Sequence, residues 1–320
     1  MNVRTSGASL LKIATRQKAF LAIVIMLVGM LFSHTDFYTA YNLLDMLNST
    51  SILLILAFGV TLTIVSGGCD LSIGGTLVVS GIVAIKLLNV MPMWPAMVIA
   101  VAVGAAVGYM NGFLVVHQKT EPFIITLGTG LLLTGIAQQL TDAHPIPATN
   151  PDFMNIGNGD VYGVPNLVII MVVCFVASYA LMRFTAFGRN LYAIGGDYEV
   201  ARYSGINVIR TKWLAFVISG AAAGLAGVLL SSKLNTGSAV YGESTALVVN
   251  CGVVVGGTSF AGGIGGIPQS ALGLLVFGLL DNVMNMLGIT SYFQVLLKGA
   301  AIVIIIWLDC FNQKRKRETV

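Results

Sequence analysis

The sequence predicts an all-α membrane protein: a polytopic bundle of transmembrane helices that forms one domain over residues 1–320. Hydrophobic residues make up 56 % of the chain and charged residues only 9 %, and the mean hydropathy is +0.88. Soluble domains carry about a quarter charged residues, so this chain could not cover a water-facing surface. Several apolar segments also reach the ~20 residues that a helix needs to cross a bilayer.

Ten apolar segments predict about ten spans. The first follows a basic stretch as in a signal peptide, but no small-x-small cleavage site comes after it, so we interpret it as a retained span. The eighth is short and flanked by glycine, which predicts a broken or re-entrant helix near residues 246–266. In chain order the segments are 19–33, 48–66, 72–89, 93–117, 122–140, 165–184, 213–232, 246–257, 266–286 and 291–309.

The distribution of positive charge predicts the orientation of the spans. With the N-terminus in the cytoplasm, fourteen Lys and Arg residues fall on the cytoplasmic side and only Lys86 and Lys233 on the outer side. This positive-inside pattern predicts a multi-pass protein of a bacterial inner (cytoplasmic) membrane with both termini in the cytoplasm. It makes residues 1–18 and 310–320 cytoplasmic tails and residues 186–212 a cytoplasmic loop.

The loop 186–212 is the longest polar, basic interval between two strongly apolar segments. Gly195 and Gly196 are expected to break the chain, and Asp197 to cap a short helix of sequence DYEVARYS that Gly205 ends. Such a helix is a rigid peg at the membrane face. From these residues alone, an ordinary amphipathic connector remains an equal alternative.

The sequence EVARYSG at residues 199–205 resembles the EAAxxxG coupling motif of ABC-importer permeases, with valine at the first alanine. The wider run FGRNLYAIGGDYEVARYSGINVIRTK is similar to the same loop in ribose-type carbohydrate ABC permeases. Four further stretches resemble that family in its order, so that the resemblance extends from about residue 48 to Asp309: GGCDLSIGG (67–75), NGFLVVHQKTEPFIITLGT (111–129), SGAAAGLAGVLL (219–230) and VVGGTSFAGGIG (254–265).

The resemblance implies a transport subunit that performs no covalent chemistry. In that family a permease dimer, of two copies or of two homologous permeases, forms the membrane pathway for a sugar by alternating access. A periplasmic solute-binding protein delivers the solute, and a separate cytoplasmic ABC ATPase, which binds ATP and Mg, docks on the coupling loop. The chain itself contains no G-x-x-x-x-G-K-[ST] phosphate loop. The residues expected to couple to the ATPase are Arg189, Asp197, Glu199, Ala201, Arg202 and Gly205.

Apart from these subunits, the expected partner is membrane lipid. The net charge of +4 is explained by topology and does not indicate nucleic acid. We expect no cofactor and no metal bound by this chain, because the sequence has no HExxH and no cluster of metal-ligating residues. A membrane enzyme is also disfavoured, since no nucleophile–base set is evident.

The stretch GGCDLSIGG is expected to be a structural motif. Gly67 and Gly68 allow a tight turn, and Asp70, near Ser72, can accept backbone N–H bonds where the next helix starts. A role of Asp70 in binding an ion or a substrate is the alternative, because carboxylates near a membrane are costly. The glycine-rich residues 254–266 likewise lie between two apolar segments. This similarity to GGCDLSIGG suggests a parallel internal repeat.

Polar residues within four other apolar segments are candidates for the solute path. Thr126, Thr129 and Gln138 are expected to share an interior face of one helix, although packing of small residues would explain the same pattern. Asn250 lies where ribose-type relatives differ most from this chain, and it either bonds a neighbouring helix or contacts the solute. Glu243 belongs to the same departure.

The last two segments carry Asn282, Asn285 and Gln294, which fit recognition of a neutral, hydroxyl-rich solute. Asp281 and Lys298 are candidates for an intramembrane ion pair. The same charges leave a second hypothesis open, an ion-gradient-driven secondary transporter of a small polar solute that would use Asp70, Asp281 or Lys298 as coupling sites. That hypothesis gives no role to the peg at 197–205.

Overall fold

The computed structural model describes residues 35–242 and 244–300, together with Ile23 and Val303. The predictions for the tails at 1–18 and 310–320, for Glu243, and for most of residues 19–33 and 301–309 therefore lie outside the described residues. Over the described part the chain is mostly helical, as predicted.

Eleven α-helices and two small two-stranded sheets are bounded within this part of the chain, and residues 291–300 are also helical. Strand β1 pairs with β4 and β2 with β3, both antiparallel. The helices are α1 (Ala40–Val65), α2 (Ile73–Leu88), α3 (Met93–His117), α4 (Pro122–Thr141), α5 (Pro151–Asn158), α6 (Asn166–Phe184), α7 (Ala186–Gly196), α8 (Tyr198–Tyr203), α9 (Val208–Leu234), α10 (Thr245–Val255) and α11 (Ile267–Met286); the strands are β1 (Ile146–Pro147), β2 (Asp160–Val161), β3 (Val164–Pro165) and β4 (Thr236–Gly237).

Six of these helices are long and apolar enough to cross a membrane: α1, α3, α4, α6, α9 and α11. The predicted total of about ten spans is not confirmed. Helices α2 and α10 are apolar but shorter, and the first and last apolar segments are described only in part.

Helix α1 is the centre of the bundle, and it packs against α6, α9, α10 and α11. Its hydroxyl side chains bond carbonyl groups of their own helix, for example Thr50 to Met46 at 2.8 Å and Thr61 to Ala57 at 2.6 Å. Polar groups that satisfy each other within one helix can be buried at little cost. Almost all of α1 after Leu53 is therefore buried despite its threonines.

Helices α3 and α9 meet through glycine. A Cβ atom added at Gly108 would lie 2.1 Å from the carbonyl oxygen of Phe216, and one added at Gly220 would lie 2.3 Å from that of Gly104. Small residues let membrane helices approach backbone to backbone, where dispersion contacts and not burial from water hold them together. This pair is the most extensive helix contact in the bundle.

The expected broken helix near residues 246–266 is present. Helix α10 has 11 residues, which span about 16 Å, roughly half of a bilayer core. Before it, the chain runs as strand β4 and a 3₁₀ turn at Ala239–Gly242, which touches the start of α2 where Gly74 and Gly242 meet. Protein covers this irregular backbone only in part, since Gly242 is buried while Val240 is 71 % exposed.

The two ends of the bundle differ in structure. At one end α7 lies beside the loop 66–68 and the loop 256–266, and α8 packs on α7. At the opposite end α5 and the β1–β4 pair pack on the last turn of α9, where the Ser232 hydroxyl accepts from Gly157 N at 2.7 Å. The loops 186–212 and 141–164 therefore lie at opposite ends, as the predicted topology requires.

Candidate functional site

The segment at residues 186–212 contains two helices and not one. Gly195 and Gly196, expected to break the chain, are the last residues of α7, and the break comes at Asp197, whose backbone is extended at φ −155°. Sequence reasoning missed α7 because glycine and polar residues interrupt its apolar residues, which therefore form no continuous apolar segment. Leu191 and Ile194 nevertheless line one buried face of an amphipathic helix.

The predicted cap and stop of the short helix α8 are confirmed. The carboxylate of Asp197 accepts from Val200 N at 2.9 Å, and Gly205 adopts φ +81° while its amide donates to Arg202 O at 3.1 Å. A left-handed residue at this position favours glycine strongly.

Helix α8 is anchored on one side and exposed on the other. Ala201 is buried against Ile194 of α7 and Val208 of α9. Around it, Val200 is 61 % and Tyr203 83 % exposed, and the other exposed side chains of this surface are Tyr198, Glu199, Arg202 and Arg189. Exposed aromatic and apolar groups among charges are typical of a surface that binds another protein.

Helix α7 links α8 to the transmembrane part of the chain. The Tyr192 hydroxyl donates to Gly265 O at 2.7 Å, and Gly263 N donates to Val65 O at 2.9 Å. Gly195 fits between these two loops so closely that a Cβ atom there would lie 1.9 Å from Val65 O. Burial raises the pKa of Tyr192, which a nearby Arg183 partly opposes, so this hydroxyl keeps its proton.

The two glycine-rich stretches that suggested an internal repeat come together here. Gly67 and Gly257 each follow a helix with a positive φ, +74° and +108°, and Gly262 approaches both Gly195 and Gly67. The same turn follows α8 at Gly205, so the shared conformation does not by itself establish a repeat, which stays a prediction.

Asp70 is the centre of a buried polar network inside the bundle. One carboxylate oxygen accepts from Ser72 N at 3.0 Å and from the Ser72 hydroxyl at 2.6 Å, and the other accepts from Ser219 of α9 at 2.7 Å. Among the described residues no Lys or Arg forms an ion pair with it. Hydrogen-bond donors satisfy its carboxyl oxygens instead, and the motif itself supplies two of the three.

The segment 69–72 also bonds three other helices. Asn111 of α3 donates to the Ser72 hydroxyl at 2.8 Å and accepts from Thr129 of α4 at 2.7 Å. Thr126 of α4 accepts from Leu71 N at 3.0 Å. Asn250 of α10 donates to Asp70 O at 3.0 Å. The non-helical segment is thus fixed to α3, α4, α9 and α10, and its polar backbone is satisfied inside the bundle.

Asn250 accordingly makes the interhelical bond that was one of its two predicted roles, and it is buried. The expectation that Thr126, Thr129 and Gln138 share an interior face is wrong for Gln138. Both threonines are buried, whereas Gln138 is exposed, because nine residues at about 100° each place it opposite Thr129. Whether any of these residues contacts the solute stays a prediction.

The remaining predicted path residues lie at the other end of the bundle. Asn282 of α11 exchanges hydrogen bonds with Asn42 of α1 at 2.9 and 3.1 Å. Gln294 donates to Asn285 at 2.8 Å. The expected ion pair is present, with the Lys298 ammonium 2.6 Å from the Asp281 carboxylate. Apart from Gln138, the candidates therefore form two groups, one around the segment 69–72 and one near the C-terminal end of α11.

Two network residues, Asn111 and Ser219, were not singled out from the sequence. Each begins one of the stretches by which the chain resembles its relatives and is a polar residue inside an apolar segment, which is a signal that could have found them. Within residues 35–242 and 244–300, no group of three His, Cys, Asp or Glu side chains is placed to hold a metal ion.

Comparison with known proteins gives two findings. Residues 42–306 match the family described as branched-chain amino acid transport system / permease component. Among curated proteins, the chain is 33 % identical to the ribose import permease protein of Haemophilus influenzae over 99 % of each chain, and 37 % identical to that of Bacillus subtilis over 91 % of each. It is 35 % identical to the D-allose transport system permease protein of Escherichia coli, over 90 % of this chain and 89 % of the relative.

Proposed function

Because the chain belongs to the family of branched-chain amino acid transport system permease components and resembles its ribose-type sugar permeases, we propose that it is the transmembrane permease subunit of an ABC importer. The solute is a sugar, a monosaccharide or a related polyol. The relatives that are named for ribose and allose support this class of solute.

One observation carries the proposed mechanism: an exposed helix is connected by close contacts to the loops that lead into two other helices of the bundle. Helix α8 is anchored through Ala201 to α7. Gly195 of α7 sits against the loops that lead into α2 and α11. A partner that moves α8 would therefore move these loops, and through them the network around Asp70. The partner is a cytoplasmic ATPase that binds ATP and Mg, and its cycle drives alternating access.

The orientation follows from this role. Residues 186–212 face the cytoplasm, as do both termini, and the end that carries α5 and the β1–β4 pair faces the periplasm. That outer end receives a solute-binding protein, and a second permease copy or a homologous permease completes the pathway. The charge asymmetry of the loops supports this arrangement in a bacterial inner membrane.

The ion pair of Asp281 and Lys298 favours one alternative, a secondary transporter coupled to an ion gradient, because charged groups inside a membrane are functional candidates. That alternative leaves the exposed surface of α8 without a role. It predicts transport in liposomes without ATP.

Co-purification tests the proposal. A tagged chain, gently solubilised from its native membrane, is expected to retain an ATP-hydrolysing subunit. The same chain with residues 197–205 in shuffled order is expected to lose this subunit while it remains in the membrane. A chain that purifies alone and transports solute in liposomes without ATP would contradict the proposal and support the secondary transporter.

Reversing one charge on α8 is expected to weaken the same interaction. Glu199→Lys changes an exposed side chain in the first turn of the helix, where a negative charge is favoured. We expect the amount of co-purified ATPase and the ATP-driven uptake to fall by about tenfold, in the range for one interfacial charge contact. Asp152→Lys, a like reversal in the first turn of α5 at the opposite end, is the control for the ATPase contact and should leave the amount of co-purified ATPase unchanged. Equal behaviour of the two variants would contradict the assignment of α8.

A further inference from the structure

Helix α11 and the helical residues 291–300 are joined by two polar contacts that form a ladder. Asp281 pairs with Lys298 at 2.6 Å, and one turn along each helix Asn285 accepts from Gln294 at 2.8 Å. Both partners on each helix are four residues apart and so share a face. We call these four side chains the polar ladder.

The polar ladder is not sealed inside the bundle. The side chains of Lys298 and Asp281 are 24 % and 30 % exposed, and Asn285 is exposed, whereas Gln294 is buried. Asp281 lies five residues before the end of α11, which is about 7.5 Å along the helix. Charged and amide groups at this depth are costly against lipid, so they face a partner or a water-filled path.

The exposed atoms of the ladder retain free hydrogen-bonding capacity. Within the described residues, Lys298 uses one contact on Asp281, and the amide nitrogen of Asn285 and the second carboxylate oxygen of Asp281 have no hydrogen-bond partner. Acceptor and donor groups therefore alternate along one surface. Asp281 and Asn285 are about 6 Å apart along the helix axis, a distance that a monosaccharide can bridge.

We propose that the polar ladder is a hydroxyl-binding subsite of the solute path, in which Asp281 accepts from one hydroxyl group of a neutral sugar while Lys298 and Asn285 donate to its neighbours. This inference rests on the proposed function, and it names the chemistry by which the permease itself recognises its solute. At the outer end of the bundle the subsite meets the solute before the network around Asp70 does.

An ionised carboxylate suits this role because its hydrogen bonds are about twice as strong as those between neutral groups. The ammonium of Lys298 stabilises the charged form of the carboxylate, and Gln294 fixes the orientation of the Asn285 amide by donating a hydrogen bond to it. A site of this kind discriminates strongly against an analogue that lacks the bonded hydroxyl, since its buried polar groups are then left unpaired.

The test uses the importer assembled with its ATPase and with saturating, solute-loaded binding protein, so that delivery is constant. Maximal uptake rates are compared for D-ribose, D-allose or L-arabinose, whichever the wild type imports, and for the monodeoxy analogues of that sugar. Asp281→Asn is expected to slow uptake of the parent sugar about tenfold or more, the effect of losing a hydrogen bond to a charged group. By contrast, Asp281→Asn should import one deoxy analogue at the same rate as the wild type does, because that analogue lacks the hydroxyl group that Asp281 binds.

Further variants separate a subsite from a strut between two helices. If the ion pair were only a strut between two helices, Asp281→Asn would slow uptake of the parent sugar and of all analogues equally. Exchange of the two charges in Asp281→Lys/Lys298→Asp would then restore the uptake rate. Either result would overturn the subsite. Asn285→Ser leaves the ion pair intact. The deoxy analogue whose uptake this variant leaves unchanged should be a different one, because Asn285 bonds a different hydroxyl group. Ser291→Ala, an exposed hydroxyl one turn from Gln294, is the control.

Failure of the subsite and failure of the proposed function look different in this assay. A wild type that imports sugar together with an Asp281→Asn variant of unchanged rate and selectivity overturns the subsite alone. A wild type that imports none of the three sugars under ATP hydrolysis overturns the proposed sugar solute, and the subsite with it.

Discussion

Replacing Gly195 by valine is expected to slow transport strongly while the chain still reaches the membrane. A Cβ atom at this position would lie 1.9 Å from Val65 O and 2.4 Å from Gly263 N, which are backbone atoms that cannot rotate away. Helix α7 would have to leave the two loops on which it packs. Overpacking costs about 1–3 kcal/mol, so the docked arrangement, and uptake with it, should fall by about 10- to 100-fold.

The neighbouring residue provides a matched control. A Cβ atom at Gly196 meets nothing within 4 Å, so Gly196→Ala should transport normally. Uptake and ATP hydrolysis are measured on the same membranes, and we expect Gly195→Val to hydrolyse ATP without moving solute if the ATPase still binds α8. A twofold change in rate corresponds to about 0.4 kcal/mol. If uptake by Gly195→Val stays within about twofold of the Gly196→Ala rate, the contact of α7 with the loops does not transmit the movement of α8.

Replacing Asp70 by leucine is expected to destabilise the fold more than any single surface change. Leucine has a similar shape but accepts no hydrogen bond, so the donors of Ser72 and Ser219 would lose their partner. Each buried donor left unsatisfied costs about 1–3 kcal/mol. We expect a loss of about 3 kcal/mol or more, and a much reduced yield of folded protein after solubilisation.

Asp70→Asn is the graded comparison, because one oxygen remains to accept from Ser72 and the loss should be smaller. Asp152→Leu, an exposed aspartate at the far end of the bundle, is the surface control. Thermal unfolding in detergent orders the variants as Asp152→Leu, Asp70→Asn and Asp70→Leu from most to least stable. Wild-type stability of Asp70→Leu would mean that the network around it is not a structural element.

The sequence predicted those parts of the fold that hydropathy and capping residues determine. The segment 93–117 coincides with α3, and Pro122 and Gly205 mark a helix start and a helix stop where expected. Helix α7 escaped prediction because its stability comes from packing on loops far away in the chain. Its sequence, AFGRNLYAIGG, gave no sign of those contacts.

The polar candidates were found more easily than their partners. Asp281 and Lys298 were predicted to pair, and they do so across the short turn between two adjacent helices. The partners of Asp70 could not be predicted in the same way, since Ser219 lies 149 residues further along the chain. Contacts of this kind depend on the arrangement of helices, which hydropathy does not encode.

The glycine contact between α3 and α9 has a consequence for how the protein is made. About 90 residues separate His117 from Val208, and at about 5–20 residues per second the ribosome needs about 5–20 s to synthesise them. During that time α3 lies in the bilayer with its glycine face against lipid. The newborn protein therefore carries an unfilled groove until α9 is inserted. Any delay in translation between these two helices prolongs a state that quality-control proteases in the membrane can recognise.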